Sequence, residues 1–132
     1  MKRFFRMFFT FISLLVLITS CEKDESDYRN KYVGIWKFHV EKSSFNMGDS
    51  SSYNDTIIYQ GKLEHGEFEN EIFIKYTDTD SLIFEIDKNG MFSELPTHYC
   101  SGEFIRLDSV HLFLRWGGLG GAMTHIVNGI KE

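Results

Sequence analysis

Five histidines, two cysteines, a glycine cluster and many carboxylates are the residues of this 132-residue chain that could carry chemistry. His39, His65, His98, His111 and His125 form no H-x-H or H-x-x-H pair, and Cys21 and Cys100 form no C-x-x-C pair. Local metal-ligand spacing is therefore missing. His39, His111 and His125 fall on the first and last two expected strands. Counted across the intervening turn, His125 stands opposite Phe113, and all three read as side chains on polar faces. The "GGLGG" run, Gly117 to Gly121, lacks the following helix and the G-x-x-x-x-G-K-[ST] spacing that cradle a phosphate. It reads instead as a tight turn. There is no G-x-S-x-G elbow, and the serines between Ser43 and Ser52 suit turn chemistry. Carboxylates sit on strand faces and at turns, with no pair marked as the converging acids of glycoside hydrolysis. These residues point away from an enzyme, and they call for no metal or cofactor.

The sharpest chemistry is at Cys21, within "FISLLVLITSCEKDES". Lys2, Arg3 and Arg6 precede a run from Met7 to Ile18 that is apolar apart from Thr10 and Ser13. That is the layout of a secretory signal, and it falls short of the about 20 apolar residues that span a bilayer. Ile18-Thr19-Ser20-Cys21 resembles the bacterial lipobox. The resemblance implies a diacylglyceryl thioether on Cys21, cleavage before it, and acylation of the new amino terminus. Each buried methylene contributes about 0.8 kcal/mol, so several acyl chains make a stable anchor. Lys23, Asp24 and Glu25 resemble the surface-export signal that follows the lipidated cysteine in one phylum of Gram-negative bacteria, and they also suit an extended polar tether. The expectation is a membrane-attached protein on the outer membrane facing the cell surface, with the periplasmic face as the alternative. Residues 1–20 are the expected signal peptide, 21–31 the lipidated cysteine and tether, and 32–132 one domain.

Composition narrows the partners. Losing Lys2, Arg3 and Arg6 with the signal takes the formal charge from −5 to −8. Such acidity disfavours nucleic acid, where Lys and Arg must neutralise phosphates, and a domain lying flat on anionic lipid. With Cys21 lipidated, Cys100 is left as a small apolar side chain with no internal disulfide to form.

From Tyr32 onward the pattern is alternating. Trp36, Phe38 and Val40 share one strand face, with Lys37, His39 and Glu41 on the other. "SSFNMGDSSSYND" reads as a long polar loop. Ile57, Tyr59 and Leu63 mark a second strand; Ile72, Ile74 and Tyr76 a third; Leu82, Phe84 and Ile86 a fourth. Asn89-Gly90 is a hairpin signal, followed by a strand from Met91 to Leu95 that Pro96 ends. Tyr99 to Leu107, Val110 to Trp116 and Met123 to Ile130 complete the set. About eight short strands without helical periodicity predict an all-β, antiparallel up-and-down meander closing into a small barrel or sandwich.

Gly34-Ile35-Trp36 resembles the Gly-x-Trp motif of lipocalins and lipocalin-like bacterial domains. The resemblance implies that Trp36 closes the barrel floor beside an arginine from a late strand, for which Arg115 is the candidate. The closing segment "RWGGLGGAMTHIVNGIKE" is similar to the end of small surface lipoproteins. Asp55-Thr56-Ile57, Asp80-Ser81-Leu82 and Asp108-Ser109-Val110 resemble a bacterial O-glycosylation acceptor, which would place glycans on Thr56, Ser81 and Ser109. The functional expectation is a non-catalytic binding domain whose barrel mouth holds a small apolar or glycan ligand. The alternative is a protein-interaction or inhibitory subunit of a surface complex, marked by outward Phe73, Phe92 or Phe113. A hollow interior favours the first, and a solid interior with an apolar outer stripe favours the second.

Overall fold

The computed structural model describes residues 27–93 and 99–132. The signal segment, Cys21, Lys23, Asp24, Glu25 and His98 lie outside the described residues. A 3₁₀ turn, Tyr28–Lys31, leads into seven strands: β1 Gly34–Asn46, β2 Asp49–His65, β3 Glu71–Lys75, β4 Ser81–Glu85, β5 Ser101–Arg106, β6 Ser109–Gly118 and β7 Gly121–Lys131. They form one sheet in the order β4-β3-β2-β1-β7-β6-β5, and every pairing is antiparallel. This is the expected all-β up-and-down meander, with the last strand returned beside the first.

The sheet curls until its outer strands approach each other. Isolated bridges Ile86↔Phe92 and Met91↔Glu103 connect the β4 side to β5 at one end. Ser93 N donates to Glu85 O at 2.8 Å, and Phe104 N to Gly90 O at 3.2 Å. The described start of the strand expected from Met91 to Leu95 is thus a short splice between the sheet edges, and Glu94, Leu95 and Pro96 lie outside the described residues. In the turn before it Gly90 takes a positive φ of 86°, and Asn89 does not. Only one left-handed residue is needed, as in the longer hairpin turns rather than the two-residue type I′ turn.

Period-two alternation sets the core. Trp36, Phe38 and Val40 of β1, Leu63 of β2, Ile72 and Ile74 of β3, Phe84 of β4, and Leu112 and Leu114 of β6 all point inward and are fully buried. Phe92 faces inward too, between Phe84 at 4.8 Å and Phe104 at 5.0 Å, rather than outward as the sequence suggested. Phe113 does lie on the outer face, and Phe73 is half-buried on the face of β3 opposite Ile72 and Ile74.

The stretch expected to be a polar loop is strand instead. β1 runs on to Asn46, paired through Ser43↔Asn54 and Ser44↔Tyr53 with β2, and through Ser43↔Thr124 and Asn46↔Gly121 with β7. Apolar alternation marks a strand only where one face is covered. Here the ladder rises past the core, so backbone hydrogen bonds persist without the hydrophobic period.

The folded part also begins before Tyr32, inside the segment assigned to the tether. Arg29 is buried: Nη1 donates to Phe68 O and Glu71 O, both at 2.7 Å, and Nε to Asp27 Oδ1 at 2.9 Å. That pairing holds the Asp27 carboxyl down at about 2. Tyr28 Oη donates to Ile86 O, so the turn is fastened to both the β2–β3 and the β4 ends. Removing the guanidinium takes a donor from two carbonyls and the charged partner from a carboxylate. Arg29→Ala is expected to lower the unfolding free energy by roughly 2–4 kcal/mol, read as a shift in the urea midpoint.

Candidate functional site

The two ends of the barrel differ. The floor is packed solid: Tyr32 stacks on Phe104 with centroids 3.7 Å apart, and Trp36 Nε1 donates to Tyr32 O at 2.9 Å. The opposite end, near the β3–β4 and β6–β7 turns, holds an open cavity of about 330 Å³. Tyr76, Asp80, Leu82, Trp116, Met123 and His125 line it, with Thr79 and Ser81 at the rim.

A local departure from the sheet brings these groups together. β3 pairs with β2 only from Lys62↔Lys75 to His65↔Ile72, and beyond Lys75 the chain crosses the inner side of β2. A Cβ on Gly61 would stand 2.0 Å from Lys75 O and 2.8 Å from the Phe38 ring, so only glycine lets the backbone through. The crossing buries Tyr76 and Thr77 and delivers Asp80 to the mouth. The turn is laced from within: Asp80 N donates to Thr77 Oγ1 at 2.8 Å, and that hydroxyl donates to Asp80 Oδ2 at 2.6 Å. Lys42, inward on β1, donates to the same oxygen at 2.6 Å and ties the turn to the far wall. Beside Lys42 in the register is His125 of β7, itself opposite Leu114 of β6.

His125 is 2% exposed. Its Nδ1 lies 3.1 Å from Tyr76 Oη, Trp116 meets it edge-on with centroids 4.9 Å apart, and its Nε2 is buried with no hydrogen-bond partner. Burial depresses its pKa, the Lys42 charge adds to that, and Asp80 opposes both. The imidazole is therefore held neutral. Burial pushes the Tyr76 phenol well above its ordinary range, so it keeps its proton. If Tyr76 donates, Nε2 carries the imidazole proton; if Nδ1–H donates, Nε2 is a bare acceptor. Burial raises the Asp80 pKa, but the bonds from Lys42 and Thr77 outweigh it and hold the carboxyl below its usual value.

The sequence-marked residues distribute differently. Trp36 is in the floor, and Gly34 two residues before it takes φ 143°. Arg115 does not join Trp36. It alternates with the inward Leu114, so it points out, 6.0 Å over the Tyr99 ring. Thr56 is exposed in mid-β2, whereas Ser81 and Ser109 open β4 and β6, Ser81 exposed and Ser109 half-buried. His39 is on the outer surface 3.9 Å from Glu41, His65 is 3.8 Å from Asp27, and His111 Nδ1 is 2.8 Å from Asn128 Oδ1. Among the described residues no His, Cys, Asp and Glu group could hold a metal ion. Cys100 is buried, with Sγ 3.9 Å from Arg115 O.

His125 was placed opposite Phe113 and on a polar face, and both expectations are overturned. Gly118 pairs with Gly121, so only Leu119 and Gly120 form the loop, and the register carries His125 inward against Leu114. A one-residue slip exchanges the faces of a strand. The available signal was the alternation His125, Val127, Gly129, whose middle member is a core valine. Tyr76, Asp80 and Lys42 were invisible as a group because only the crossing at Gly61 brings them together.

Comparison with protein-family models, curated proteins and solved structures returned no match for the chain.

The depressed basicity of His125 has a measurable sign. Below its ordinary value of 6.5 the unfolded chain binds a proton that the folded chain resists. Stability therefore falls as pH drops from about 7 toward 5. In His125→Gln that part of the stability-versus-pH curve flattens relative to the parent, as paired denaturation series at each pH will show.

Proposed function

We propose that the protein is a non-catalytic binding module that takes a small ligand in its barrel mouth, carried on the outer membrane by acyl chains on Cys21 and exposed at the cell surface through Lys23, Asp24 and Glu25. The observation that carries the binding reading is the open cavity in which His125 Nε2 is buried without a partner beside Trp116. A buried polar nitrogen left unsatisfied costs about 1–3 kcal/mol, which a bound hydrogen-bonding group recovers. The cavity lies at the lower end of the size range of small-molecule sites, about 300–1,000 Å³. Its wall has the usual mixture of apolar surface and a few fixed polar groups.

The outer face argues less strongly for a protein partner. Ile58 and Ile130 are exposed, but their register neighbours on β1 are His39 and Lys37, which break the apolar stripe. One feature does favour the interaction reading. Phe45, Met47 and Leu119 are exposed together where the two long hairpins end, and Met47 N donates to Gly120 O to link the tips.

Native mass spectrometry of the chain purified from its own membranes is expected to show an added mass that leaves on denaturation and is lost in Trp116→Ala. A bare protein in every preparation would remove the ligand reading and turn attention to the hairpin tips. The anchor is tested by fractionation. Cys21→Ala is expected to leave the outer-membrane pellet, and retention there with unchanged mass would refute acylation.

A further inference from the structure

The cavity discriminates among ligand classes through the groups it leaves open. Two polar atoms of the lining residues have no hydrogen-bond partner among the described residues: His125 Nε2, which is buried, and Asp80 Oδ1. Asp80 Oδ2 is crowded, taking bonds from Lys42, Thr77 and Thr79, while Oδ1 takes none. An apolar occupant would satisfy neither, each weakening binding on the order of tenfold. The core beneath cannot offer an apolar ligand a deeper berth, since Phe38, Val40, Leu112 and Leu114 already fill it.

Charge narrows the choice further. Among the described residues, the Lys42 ammonium at the mouth is bound to the Asp80 carboxylate at 2.6 Å. An anionic ligand would meet Asp80 Oδ1, and a cationic one would compete with Lys42 for the same carboxylate. The remaining demand is for a neutral molecule that donates to Asp80. At His125 it must meet Nε2 in whichever tautomer Tyr76 sets, and a hydroxyl can do so because it both donates and accepts. Trp116 is only half-buried and, with Leu82 and Met123, supplies an apolar plate for the face of a ring.

Resting on the small-ligand reading above, we infer that the mouth binds a neutral sugar ring, its apolar face on Trp116 and its hydroxyls shared between Asp80 Oδ1 and His125 Nε2. The preference over an apolar ligand comes from the unpartnered polar atoms of the lining residues rather than from the cavity's volume.

The test uses the lipid-anchored chain in nanodiscs, labelled with 5-fluorotryptophan. Its two tryptophans give separate ¹⁹F signals, Trp36 reporting the floor and Trp116 the mouth. The probes are methyl pyranosides of glucose, galactose, mannose and N-acetylglucosamine, with tetrahydropyran as a ring of the same size without hydroxyls. At least one pyranoside is expected to shift the Trp116 signal saturably and leave Trp36 in place, while tetrahydropyran has no effect at equal concentration. Asp80→Asn and His125→Gln are each expected to weaken that binding about tenfold or more, with the Trp36 signal certifying an intact floor. Should either variant misfold, the comparison of probes on the parent chain still decides. Tetrahydropyran binding as well as or better than every pyranoside overturns the sugar class and leaves the small-ligand reading standing. Silence of all probes with a retained native adduct also overturns the sugar class alone, and silence with a bare protein overturns both.

Discussion

The structure depends on β1 being hydrogen-bonded along both edges, to the strand that follows it and to the last strand of the chain. A meander in which each strand lies beside the next can place its last strand beside its first only by curling through most of a turn. The right-handed twist of the sheet takes it in that direction. Large aromatics on β1 are then admitted by glycines on its neighbours. Gly61 stands across from Trp36, and Gly129 across from Phe38, where a Cβ would come within 2.6 Å of the ring and 2.7 Å of Val110. One strand thereby carries the floor at Trp36 and the mouth at Lys42.

The mouth has a different balance of forces from the floor. Below, the interior is apolar and close-packed, with Trp36 Nε1 satisfied by Tyr32. Above, Lys42, Asp80, Thr77, Tyr76 and His125 take positions that continue the inward faces of the strands. Partly buried charge is tolerated there because the ammonium and carboxylate satisfy each other and Thr77 satisfies the carboxylate again. The same bonds immobilise the β3–β4 turn, so Asp80 is held in place beside His125. Preorganisation of that kind is what the proposed binding reading draws on.

Much of the fold was legible because its core strands have one covered face. Trp36, Phe38 and Val40, Ile72 and Ile74, and Phe84 and Ile86 alternate as the inward side of a half-buried sheet must. Legibility failed wherever that condition lapsed. Ser43 to Asn46 pair with β7 as regularly as Trp36 does, but no second layer gives their faces opposite polarity. Arg29 looked like tether because a guanidinium is seldom buried, and two of its three acceptors, Phe68 O and Glu71 O, lie distant in sequence. The site was the least legible part. His125 moved inward on the length of one hairpin loop, and Asp80 reached Lys42 through a strand exit that a single glycine permits. The first leaves only the alternation of His125 with Val127 and the second leaves no local pattern, since both are set by pairing across the sheet.

The 3₁₀ turn at Tyr28–Lys31 gives the barrel a direction. It is fastened under the floor, while the cavity opens beside Lys42, six residues along β1 from Trp36, or about 20 Å of strand. Whatever holds the chain upstream of Asp27 therefore holds it by the closed end. At physiological salt the potential of a charged surface decays over about 8 Å. Charge placed at the closed end is therefore largely screened from the balance among Lys42, Asp80 and His125.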